Sequence, residues 1–71
     1  MTKDTAARVA SMFNAISDQL VASVDAMRGS ESEETSRSYA AAIGKILGEI
    51  MYEVLKPIYR EHPDLAPADL K

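Results

Sequence analysis

The sequence predicts an all-α protein: an antiparallel helical hairpin with a short C-terminal tail, expected to dimerise into a four-helix bundle. Three observations carry that prediction. Apolar residues recur at helical spacing along two stretches, a brief Gly/Ser/Glu segment separates the stretches, and prolines close the second one. Residues 1–62 are read as the hairpin and 63–71 as the tail.

The first helix is expected over about residues 4–28. Val9, Met12, Phe13, Ile16, Leu20, Val24 and Met27 fall on a stripe roughly 120° wide at 100° per residue. Asp4, Ser11, Asp18, Ala22 and Asp25 lie opposite, and Ala10 and Val21 sit on a shoulder. The stripe assigns Val9, Phe13, Ile16, Leu20, Val24 and Met27 to the hairpin core, with Met12 beside them. Thr2 or Asp4 can cap the helix, because a side-chain oxygen there accepts a first-turn amide.

The pattern stops at Arg28-Gly29-Ser30-Glu31-Ser32-Glu33. Gly29 suits a left-handed helix terminus, and Ser30 with Glu33 reads as a capping box. A connection this short makes the two helices antiparallel neighbours.

The second helix is expected over about residues 31–60. Tyr39, Ala40, Ile43, Ile46, Leu47, Ile50, Met51, Val54, Leu55 and Ile58 spread over about 180° of an ideal helix, more than one partner helix covers. Lys45, Glu49, Glu53, Lys56 and Arg60 line the other side, with Lys45–Glu49 and Glu53–Lys56 expected to pair. Pro57 should kink or end the helix because it lacks an amide proton and crowds the carbonyl at Glu53. Beyond Pro63, Leu65 and Leu70 are expected to fold back, with Pro67 opening a last turn.

Ser36, Ala40, Gly44 and Gly48 recur every four residues. Glycine inside a helix costs about 1 kcal/mol relative to alanine, so the row implies close helix packing, either with Phe13 or a Met of the same hairpin or with another chain. Ala40, Ile43, Gly44, Leu47, Gly48, Ile50, Met51, Val54, Leu55 and Ile58 are therefore the expected packing or oligomer interface. Tyr52 and Tyr59 point to the charged side and are candidates for a partner surface, since tyrosine buries area at little entropic cost; rings lying along neighbouring Lys and Arg stems are the equal alternative.

The 71 residues include no cysteine. Neither a disulfide nor a thiolate metal site can supplement so small a core, so burial against another chain is the expected supplement. A net charge of −3 with eight scattered Lys and Arg residues argues against nucleic acid, which demands converging cations. No apolar run approaches the roughly 20 residues of a membrane span, and the first residues form no apolar signal segment. A cytoplasmic location follows as the expectation.

His62 is the single histidine and is expected to be a solvent-exposed structural residue, without the partners that catalysis or metal binding requires. Glu49 and Glu53 lack the Glu-x-x-His companion of bundle metal sites. No phosphate loop or nucleophile motif is present. The expectation is a non-enzymatic homodimeric adaptor, regulator or inhibitor without a cofactor. A nucleic-acid-binding regulator or an accessory enzyme subunit is the alternative.

Overall fold

The computed structural model describes residues 1–68. Helix α1 spans Lys3–Ser30, α2 spans Glu33–Glu49, a π-helical turn occupies Ile50–Leu55, α3 spans Lys56–Glu61, and a 3-10 turn covers Pro63–Leu65. From α2 to α3 the chain forms one uninterrupted helical arm. Among the described residues there is no strand, and no helix is long and apolar enough to cross a membrane. Leu70 and the turn expected from Pro67 onward extend outside the described residues.

Thr2 caps α1: its side chain accepts the Thr5 amide at 3.3 Å. The connection to α2 holds only Glu31 and Ser32, both with extended backbone. Ser32, not Ser30, is the second cap and accepts the Thr35 amide at 3.1 Å. Ser30 is still helical and donates its hydroxyl back to the Ala26 carbonyl at 3.2 Å. Gly29 likewise stays in the last turn, with no positive φ. An extended Glu31, whose amide reaches the Met27 carbonyl at 2.9 Å, ends α1 instead.

The two arms are antiparallel. Ser36, buried near the connection, donates to the Met27 carbonyl at 3.1 Å. Farther along, Tyr39 donates its hydroxyl to Ser23 Oγ at 2.7 Å, and Ser23 donates to the Leu20 carbonyl at 2.6 Å. Asn14 Nδ2 donates to the Tyr59 hydroxyl at 3.2 Å. At the open end His62 Nε2 lies 3.1 Å from the Met1 carbonyl.

The main core sits near that open end, where Ala6 and Ala10 meet Leu55 and Ile58. Val9, Phe13, Ile50, Met51, Val54, Tyr59 and Leu65 pack partly against it. The alanines are the most buried residues of α1, although Ala10 was expected on a shoulder. A methyl group is all a helix needs where its partner supplies Leu and Ile, and small residues let the axes approach.

The π turn makes this core possible. On an ideal helix Leu55 lies about 120° around from Ile43, so the two could not face the same partner. Both are nevertheless buried. One extra residue per turn sets the phase back by about 100°, which returns Leu55 and Ile58 to within about 40° of Ile43. The apolar face thereby narrows from about 180° to about 140°.

The same turn accommodates Pro57 without ending the helix. The Lys56 amide reaches back five residues to the Met51 carbonyl, and the next amide in that register belongs to Pro57, which has none to offer. A Pro57→Ala chain should therefore tolerate deletion of exposed Tyr52, which removes the extra residue and keeps Leu55 in phase. Deletion of exposed Ala41 in the same background should rotate everything after it by about 100° and abolish cooperative unfolding. Circular dichroism on heating checks both.

Candidate interaction surface

The expected core residues of α1 divide into two groups. Val9 and Phe13 pack on the core, and Leu20, Val24 and Met27 are half-buried. Ile16 departs from the expectation at 42% exposed, as does Met12 at 56%. The reason is the contact line, which runs through Ala6 and Ala10 and so leaves the Met12–Ile16 edge of the stripe outside.

On the second arm Ile43, Leu55 and Ile58 are buried. Ala40, Leu47, Gly48, Ile50, Met51 and Val54 are half-buried. Ile46 stands 47% exposed. The structure thus brings Leu55 and Ile58 to the α1 alanines, with Ile50, Met51 and Val54 packed around that cluster, and leaves one side of each helix uncovered.

The small-residue row serves the hairpin only at its start. Ser36 is buried against Met27, but a methyl placed on Gly44 or Gly48 would meet nothing within 4 Å. Neither glycine makes room for Phe13 or a methionine of the same chain.

The tyrosines also separate. Tyr52 is 67% exposed, with Lys56 Nζ 5.1 Å from its ring centroid. The re-phased helix turns Tyr59 inward, where it packs on the core and accepts from Asn14. Met51, Tyr52, Lys56, Tyr59 and Ala66 line an open cleft of about 230 Å³. Lys45–Glu49 and Glu53–Lys56 do not pair. The ion pairs along the helices are Arg37–Glu33 at 2.8 Å and Arg28–Asp25 at 3.6 Å, exposed contacts worth a few tenths of a kcal/mol each.

Charges gather where the tail meets α1. Glu61 Oε1 lies 3.1 Å from the Met1 ammonium and 3.1 Å from His62 Nε2, and Lys3 pairs with Asp64. His62 is therefore partly buried and tied to α1, not free in solvent as expected. The hydrogen bond from the Met1 ammonium, reinforced by its charge, holds Glu61 below its ordinary value of 4.5. The hydrogen bond from Lys3 does the same for Asp64 relative to 3.8. Among the described residues no three His, Cys, Asp or Glu side chains are grouped to hold a metal ion.

Two predictions follow from this geometry. Gly44→Ala removes backbone freedom without a clash and should stabilise the fold by about 1 kcal/mol, read as a raised thermal midpoint. A carboxyl with a depressed folded pKa stabilises the fold above its unfolded value, and that contribution fades as pH falls through the folded one. The Lys3–Asp64 tie should accordingly hold at pH 5 and open below the ordinary aspartate value of 3.8. Carboxyl NMR shifts should show Asp64 titrating below that value, and Lys3→Met should return it to the ordinary range.

Compared with protein-family models, curated proteins and solved structures, the chain shows no significant match to any.

Proposed function

We propose that this chain acts in the cytoplasm as a non-enzymatic interaction protein, a homo-oligomeric adaptor, regulator or inhibitor whose hairpins pair into a four-helix bundle. One observation carries the reading: the hairpin does not enclose its own apolar residues. Of Ile43, Leu47, Ile50 and Val54 only Ile43 is buried. No large side chain is completely shielded among the described residues, Leu55 coming nearest at 2% exposed.

The shortfall matters because of size. A chain of 71 residues without cysteine has little core to set against the entropy of ordering it. Each large aliphatic side chain moved fully out of water contributes about 1.5–3 kcal/mol. Ile16, Ile46 and Met12 are each about half exposed, so completing their burial against another chain contributes roughly 2–4 kcal/mol per chain, a sizeable part of a small domain's net stability.

Sedimentation equilibrium at micromolar concentration tests the proposal. The expected result is a mass of twice 7.7 kDa or a higher multiple, with a thermal midpoint that rises with concentration. A cooperatively folded species of 7.7 kDa, with a midpoint independent of concentration, would refute it.

A further inference from the structure

Two broad faces flank the plane of the hairpin, and they differ in chemistry. The Tyr39–Ser23 hydrogen bond marks one of them. Seven residues are two turns of helix, a rotation only about 20° short of full register. Ile16, seven residues before Ser23, and Ile46, seven after Tyr39, therefore continue that face side by side across the two arms. Both are exposed, and Met12 extends the patch one turn toward the open end.

Charge is scarce on this face. Arg8 borders the patch one turn before Met12, and between Met12 and Ala26 the charged residues of α1 are Asp18 and Asp25. These two lie about 160° and 180° around the helix from Ile16. On α2 the nearest charges are Lys45 and Glu49, about 100° and 60° outward from Ile46. These rim charges have opposite signs, which is compatible with an isologous contact, where a residue i of one copy meets j of the other and j meets i. The other face carries exposed Val21, Gly44 and the Arg28, Arg37, Glu31 and Glu33 cluster at the connection.

We infer that the Met12–Ile16–Ile46 face is the self-association surface of this protein, covered by a second copy of the chain across a two-fold axis. The inference rests on the oligomeric reading above and adds which face closes. Two further observations favour a second copy as occupant. The hairpin measures 44 × 20 × 16 Å, so burying the ~800 Å² per partner of a stable interface takes an occupant that runs along most of its length, and a second hairpin of the same length does so. Ile16 and Ile46 also stand at one level well inside the hairpin's length, so the patch can meet itself without leaving apolar overhang. Val21 and the glycines then face outward, away from the dimer.

Isotope-filtered NMR on a mixture of labelled and unlabelled wild-type chains tests this, with sedimentation on the same samples. Intermolecular contacts are expected to the methyl groups of Ile16 and Ile46 and not to those of Val21. Ile46→Lys should weaken dimerisation at least about tenfold, while Val21→Lys leaves it within about twofold. A dimer whose intermolecular contacts reach Val21 and spare Ile16 and Ile46 overturns the assignment of the face while the oligomeric reading stands. A 7.7 kDa species without intermolecular contacts overturns both.

Discussion

The hairpin depends on bringing two halves of its second arm to bear on one line of α1. Ala6 and Ala10 at the open end meet Leu55 and Ile58, and Ser36 at the connected end holds Met27. A regular α-helix cannot serve both contacts, because 3.6 residues per turn carries Leu55 well away from the direction of Ile43. The π turn at Ile50–Leu55 resolves the conflict with a single wide turn, and Pro57 settles immediately after it. Everything at the open end follows from that alignment: the inward Tyr59 with its Asn14 partner, the packing of Leu65, and the ion pairs that tie Glu61 and Asp64 to the start of α1.

Much of this architecture was legible in the sequence, for identifiable reasons. The 3.6-residue recurrence placed both helices, and the change of residue character after Arg28 placed the connection. Thr2 capped where a hydroxyl before an acidic first turn should. The pattern pointed to Ser30, because Glu33 stands three residues on where a capping box has its acidic partner, and it passed over Ser32, which is followed at that spacing by Thr35. The choice depends on whether the hydroxyl turns forward to an amide or back to a carbonyl, and Ser30 turns back to Ala26.

Two other departures share a cause. Treating every residue as 100° of rotation hid the phase change, although its trace was present as an apolar face too wide for one partner and a proline near its far edge. Ranking residues by size hid Ala6 and Ala10, since a stripe drawn through large side chains overlooks the small ones where helices come closest. Drawing the stripe through Met12 and Ile16 displaced the expected contact line toward what is now an outer edge. For the candidate surface, Tyr52 is exposed with Lys56 over its ring, whereas the phase change that the sequence reading missed turns Tyr59 inward.

A single pair of helices has one line of contact, and residues about 60–80° to either side of it are half-covered by any arrangement of that pair. On the Gly44 side the sequence meets this limit mostly with glycine, alanine and charge, residues that lose little by facing water, with Val21 the exposed exception. On the Ile46 side it meets the same limit with isoleucine and methionine. The two flanks are subject to identical geometry, so the difference between them is one of chemistry and not of packing. An apolar flank beside a glycine flank gives the molecule two distinct sides, and the hydrophobic effect acts more strongly on the first. The proposed association through that side would add the second layer that a hairpin cannot supply from its own chain.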